Sequence, residues 1–181
     1  MPDLVGLDVA GEPDEWRAAG FHVDDDGGIR TGRLRMQTGV GDRGISAWDF
    51  ADEPDVEPAT HPNGTTLLDH LVVFSGDPAR TTESYGELGM EPLRERDVGN
   101  GTRQTFFKAG EVIIELVGPI PNVEGERFWG LAFTVTDLDA CVALLAPAMG
   151  AIKDAVQPGR RIVTLRHKEL GLTVPIAFMS P

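Results

Sequence analysis

The chain has one cysteine in 181 residues, so no disulfide can close within it. That suits a reducing compartment, and the expected location is the cytoplasm. Cys141 lies among apolar residues at helical spacing and reads as small core filler. No run approaches the roughly 18 apolar residues that a bilayer span needs. The opening MPDLVGLDVAGEPDEW has neither the basic region nor the long apolar core of a signal peptide. Positive charge is also scarce, with 16 Lys and Arg against 29 Asp and Glu and a net charge of −13. Such a surface repels phosphate backbones and anionic lipid, so neither nucleic acid nor membrane is an expected partner. The acidic stretches Asp24-Asp25-Asp26 and Asp49 to Glu57 read as solvated loops. The first adjoins Gly27-Gly28, a turn signal that lacks calcium-loop spacing. Three catalytic signatures are missing. GGIRTG lacks the ending of a phosphate loop, and the sequence has no G-x-S-x-G elbow and no C-x-x-C pair.

What the chain does have is repetition. Residues 68–77 read LDHLVVFSGD and residues 128–137 read FWGLAFTVTD. Each is followed by a helix-like run, a glycine and strand-like runs, ending in GEVIIELVGP (110–119) and GLTVPIAFMS (171–180). One such unit cannot bury its own apolar faces, so two must pack together around a concave surface. Three βαβββ-type modules can be read, an α+β pattern. Module 1 covers 4–50 within an N-terminal segment 1–50. Residues 51–66, rich in Pro, Asp, Glu and Thr, read as a linker. Residues 67–181 form the main unit, with module 2 at 67–119 and module 3 at 127–180. In module 1, FHV, IRTGRLRMQT and GISAWDF are strand-like. In module 2, Asp77-Pro78 opens a helix that Gly89 stops, and Asn100-Gly101 signals a hairpin. In module 3, Asp137 caps a helix, and Pro175 marks a bulge or an edge in the last strand.

Aligning Leu71 with Leu131 sets His70 over Gly130, and aligning Gly110 with Gly171 sets Glu115 over Ile176. Strand alternation puts His70, Val72 and Phe74 on one face, and Ile113, Glu115 and Val117 on another. The matching module 3 sets are Gly130, Ala132 and Thr134, and Val174, Ile176 and Phe178. If these faces line one cavity, its wall is apolar except for His70 and Glu115, the composition of a small-molecule site. Further candidates to touch a ligand are Phe74, Arg103, Gln104, Trp129, Arg161, Arg166 and Ile176. Arg160 lies beside this last group of strand-end arginines. A guanidinium at an apolar cavity anchors carboxylate or phosphate.

LDHLVVFSGD, FFKAGEVIIELVGP and GLAFTVTDLDACVALL with GLTVPIAFMS resemble the vicinal oxygen chelate superfamily of glyoxalase I, bleomycin-resistance proteins, extradiol dioxygenases and epimerases. The resemblance covers about 67–180, with a weaker echo in 4–50. It implies paired βαβββ modules in an open, barrel-like sheet around a cavity. It also implies a divalent metal (Zn, Mn, Fe, Co or Ni), with His70 and Glu115 at ligand positions of module 2. Gly130 and Ile176 stand at those of module 3 and offer no donor. The missing ligands would have to come from His61, His167 or a second chain. Three readings follow. The first is a metal-dependent lyase, isomerase or dioxygenase with Glu115 as ligand or base. The second is a non-catalytic protein that binds or sequesters a small molecule, with His70 and Glu115 as a hydrogen-bonded pair. The third is a structural or regulatory module whose cavity its own side chains fill. An unpaired module 1 suggests a homodimer in which a second copy supplies the missing half.

Overall fold

The computed structural model describes residues 2–52 and 56–181. The first round of elements is β1 (Asp3–Val9), α1 (Pro13–Ala18), β2 (Gly28–Thr31), β3 (Leu34–Gln37) and β4 (Ile45–Ala51). The second is β5 (Thr65–Ser75), α2 (Pro78–Glu87), β6 (Pro92–Gly99), β7 (Thr102–Ala109) and β8 (Val112–Gly118). The third is β9 (Glu126–Val135), α3 (Leu138–Leu145), β10 (Lys153–Asp154), β11 (Arg161–Leu165) and β12 (Ile176–Met179). The α+β class and the element order βαβββ are as expected. Local chemistry sets the boundaries. The Asp77 carboxylate accepts from the Arg80 N–H at 3.2 Å, and Asp137 accepts from Ala140 at 3.0 Å, so both helices start on a satisfied cap. Asn100 and Gly101 both take positive φ, 54° and 76°, the geometry of a two-residue hairpin turn between β6 and β7. Pro175 has no N–H for a ladder, and β12 begins directly after it.

Modules 2 and 3 share one open sheet of eight strands, in the order β10-β11-β12-β9-β5-β8-β7-β6. Its seam is the antiparallel pair β5–β9, with Leu71 opposite Leu131, His70 opposite Ala132 and Val72 opposite Gly130. Exchanging the two strands maps this register onto itself, so His70 answers to Gly130 and Val72 to Ala132. Each strand carries a one-residue bulge at the equivalent place, Asp69 in β5 and Trp129 in β9. The last strands run parallel to the first, with Leu71 beside Ile114 and Leu131 beside Ile176. Ile114 is therefore the mate of Ile176, and Glu115 the mate of Ala177. The expected match of Glu115 with Ile176 is off by one. Gly110 turns the β7–β8 hairpin, whereas Gly171 closes a 3-10 turn over His167–Leu170, and one more residue is spent before β12.

Module 1 departs further. Its sheet runs β2-β3-β1-β4, with β1 parallel to β3 and antiparallel to β4. Strand β3 takes the place that the last strand holds in the other modules. Strand β4 crosses to the far side of β1, where β9 lies relative to β5. The half-module thus fills, with its own strand β4, the place beside β1 that a mate strand holds in the large sheet. Two further expectations fail locally. IRTGRLRMQT is two strands, because Gly32 turns the chain with φ 53°. FHV is not a strand; Phe21 instead packs its ring edge against Trp16 at 5.5 Å and Phe133 at 5.0 Å. Trp48 lies 5.5 Å from Tyr85 and 5.0 Å from Phe128, so both ends of module 1 are tied to the large sheet by aromatic contacts. Leu71, Ile114, Leu131 and Ile176 belong to this same shared core.

Of the expected linker 51–66, residues 53–55 lie outside the described residues. Its end is anchored: Asn63 is buried and donates to the Ala19 carbonyl at 3.0 Å. Among the described residues, no helix is long and apolar enough to cross a membrane.

Candidate functional site

The face of the large sheet opposite the shared core holds a cavity of about 360 Å³. Strands β5 and β8 contribute His70, Val72 and Glu115. Strand β7 contributes Gln104 and Phe106, and β6 contributes Arg94 and Arg96. The other half contributes Ala132 from β9, Ile162 and Thr164 from β11, and Ala177 and Met179 from β12. Pairing fixes these orientations, because residues directly opposite in a ladder share a face. Phe106 sits opposite Glu115, Arg96 opposite Gln104, and Ala177 beside Ala132.

The bulge at Asp69 breaks the alternation of β5, so Asp69 and His70 turn to the same side. His70 Nδ1 donates to the Asp69 carboxylate. Asp69 also accepts from Arg160 at 2.6 Å and from the Thr134 hydroxyl at 2.8 Å. Burial works against the Asp69 charge, but the hydrogen bonds from His70, Arg160 and Thr134 hold its carboxyl well below the usual carboxylate range. Arg160 further donates to the Ser180 carbonyl at 2.9 Å and so ties the end of the chain into this network. With Nδ1 engaged by Asp69, His70 Nε2 meets no protein partner among the described residues.

Glu115 behaves in the opposite way. Burial pushes its carboxyl up, while His70, Arg96, a hydrogen bond from Gln104 and Arg94 pull it down without prevailing. Gln104 Nε2 donates to Glu115 Oε1 at 2.5 Å. The other side of that amide, Gln104 Oε1, is buried with no partner. Arg94 lies over the Phe106 ring, 4.6 Å from its centroid.

Of the residues singled out from the sequence, His70, Gln104, Glu115 and Trp129 border the cavity. Ile176 borders it too, but the residue is 1% exposed and pairs with Leu131 on the core side. Ala177 and Met179 turn inward in its place. Phe74 stacks on Trp129 at 5.3 Å and backs the cavity rim. The three arginines lie elsewhere. Gln104 turns in, so its neighbour Arg103 turns out, where it pairs with Glu95 at 3.5 Å. Arg161 binds Asp139 on α3 at 2.7 Å, and Arg166 donates to the Pro147 carbonyl at 3.2 Å. The arginines at the cavity are Arg94 and Arg96. Their two-residue spacing on a strand was a readable signal for a shared face. Asp69 was hidden, because strict alternation sends it to the opposite face from His70.

The donor set can be tested against the divalent metal that the resemblance implies. Gly130 and Ala177, the mates of His70 and Glu115, have no donor side chain. His61 accepts from the His22 N–H at 3.0 Å, and its Nε2 bonds the Arg30 carbonyl at 3.1 Å, away from the cavity. His167 lies in the 3-10 turn and does not line the cavity. Among the described residues, no three of His, Cys, Asp and Glu gather in metal-binding geometry. Two side chains, each with one atom already hydrogen-bonded, fall short of a three-ligand site. The residues present do not fit a metal centre built within one chain. The backbone reinforces this. A Cβ on Gly130 would come 2.9 Å from the Pro175 carbonyl oxygen, which accepts the Leu131 N–H at 2.9 Å.

By sequence, no curated protein matches the chain. Solved structures do match by fold. Methylmalonyl-CoA epimerase from Mycobacterium tuberculosis is 24% identical and covers 65% of this chain and 89% of its own, with a TM-score of 0.53. A methylmalonyl-CoA epimerase variant from Streptomyces coelicolor, in complex with 2-nitronate-propionyl-CoA, is 20% identical. It covers 64% of this chain and 94% of its own, at TM-score 0.51. A halotolerant catechol dioxygenase is 12% identical but covers 99% of this chain and 86% of its own, at TM-score 0.62. At these identities the likeness is one of fold. Sequence supplies the family, because residues 69–163 match its model. That span holds the Asp69–His70 bulge, Glu115 and the seam strand β9, and it places this chain in the Glyoxalase/Bleomycin resistance protein/Dioxygenase superfamily.

Proposed function

We infer that the chain holds a small organic molecule in the cavity between modules 2 and 3, with residues 1–50 bracing the opposite face of the sheet. One observation carries this reading. Most of the cavity's charged side chains, His70, Arg94, Arg96 and Glu115, lie on the module 2 side, and the module 3 side is mainly apolar, with Ala132, Ile162, Ala177 and Met179 beside Thr164, Gln157 and Asp154. An organic molecule with a polar end and a carbon body matches that division. The test is ligand-observed NMR with a library of charged and neutral small organic compounds, on the parent and on Ala177→Phe. Binders should be found for the parent and lost when the added ring fills the cavity. A library with no binders, or binders indifferent to Ala177→Phe, would refute the reading.

A second reading, acid–base catalysis on that molecule, is favoured by the Asp69–His70 pair. Asp69 orients the ring, His70 Nε2 can take a proton, and Glu115, pushed up by burial, can return one. Deuterium incorporation from D₂O into phenylpyruvate, next to its carbonyl, measures this. His70→Ala should slow enzymatic exchange by about 100-fold or more. Exchange no faster with the parent than without protein would leave the binding reading alone.

A further inference from the structure

Eight arginines of this acidic chain pair with carboxylates. Among the described residues five arginines have no such partner, Arg43, Arg80, Arg127, Arg94 and Arg96, and of these Arg94 and Arg96 border the cavity. Both sit on β6 facing the cavity. Arg94 is held by Phe106, so its guanidinium is in place without an anion. Arg96 lies directly opposite Gln104 on the neighbouring strand. Side chains so paired start about 5 Å apart.

Gln104 adds the second constraint. Its amide nitrogen donates to Glu115 Oε1. Its oxygen is left as a buried acceptor with no partner. An orphaned buried acceptor costs free energy until a donor arrives. A third constraint is orientation. Asp154 borders the cavity from β10, at the opposite end of the strand order, and would repel an anion there. Between these ends lie Ala132, Ala177 and Met179.

We propose that the ligand is a 2-hydroxy carboxylic acid with an apolar body. Its carboxylate lies on Arg94 and Arg96, its hydroxyl donates to Gln104 Oε1, and its carbon chain or ring covers the module 3 wall. A hydroxyl close to the carboxylate suits receptors that are opposite residues of one strand pair. This rests on the cavity being the binding site.

Calorimetric titration of the full chain with three matched probes tests it: 3-phenyllactate, its methyl ester, and 3-phenylpropanoate. Phenyllactate should bind about tenfold or more tightly than the ester, through the charge-assisted contacts. Arg94→Gln with Arg96→Gln should bring the acid down to the ester, with a much smaller loss for the ester itself. Both arginines are exposed on an edge strand, so folding is retained. Gln104→Leu should erase the difference between phenyllactate and phenylpropanoate. Acid and ester binding equally, with both lost in Ala177→Phe, would overturn the ligand class and leave the cavity reading standing. Binding that survives Ala177→Phe would overturn both. No binding of phenyllactate by the parent would overturn the proposal, with the neutral compounds of the library then deciding whether the cavity reading survives.

Discussion

The two halves of the large sheet are built alike and furnished differently. On the core face, Leu71 and Leu131 cross at the seam, and Ile114 and Ile176 flank them as mates. On the cavity face the mates diverge: His70 is matched by Gly130, Glu115 by Ala177, and bulged Asp69 by bulged Trp129. The difference lies in the backbone as well as the side chains. Gly130 has no room for a Cβ because the Pro175 carbonyl occupies that space. Module 3 thus uses the position that His70 holds in module 2 to let two chain segments approach. The lesson is that pseudo-symmetry is kept where apolar packing demands it and dropped where chemistry or ligand shape decides.

The largest test of that asymmetry compares the two bulges. Asp69→Asn removes the charge that Arg160 and His70 meet, leaving a half-buried guanidinium unpaired. Breaking such a pair should cost about 3 to 5 kcal/mol in urea unfolding. Trp129→Ala, at a residue 45% exposed, should cost only about 1 kcal/mol, chiefly its stacking on Phe74. Equal costs would mean that the two bulges are interchangeable turns of the sheet and that the polar network adds nothing.

On the core face the opposite result is expected. Leu71→Ala and Leu131→Ala should each cost about 2 to 5 kcal/mol, and the two values should agree within about 1 kcal/mol. A large gap between them would break the symmetry where it is best supported. Gly130→Ala comes next. The added methyl must push Pro175 aside, at about 1 to 3 kcal/mol, whereas a side chain is already present at His70. Indifference at Gly130 would show that the Pro175 contact is loose.

The sequence carried the fold and part of the site. The repeat LDHLVVF/FWGLAFTV set Leu71 against Leu131 because apolar periodicity and seam packing are the same physical fact. Alternation put His70 and Glu115 on cavity faces and allowed only one of Arg103 and Gln104 to turn in, without saying which. It failed at Asp69, because a bulge has no signature of its own in LDHL. It failed at Ile176, because a 3-10 turn and a tight hairpin both end in glycine but differ by one residue. In module 1 the route of β4 depends on what lies across β1, and a local pattern carries no information about that.

The smallest effect is set by pH. Burial raises the Glu115 carboxyl above its unfolded value, so the folded state holds that proton more tightly than the unfolded chain does. The contribution of Glu115 to stability is therefore fully present below the ordinary carboxylate range. It is lost as pH rises through the raised folded value, where a buried charge must form. Glu115→Gln keeps an acceptor for Gln104 Nε2 and removes the charge. The variant should match the parent at low pH, and its melting temperature should pull ahead as pH rises. Ala177→Gln, at the mate position, should show a pH-independent offset from the parent, because no carboxyl is removed there. A gap for Glu115→Gln that closed with rising pH would mean that His70, Arg96 and Arg94 outweigh burial. The module 2 wall would then be a settled ion network rather than a site held ready for a ligand.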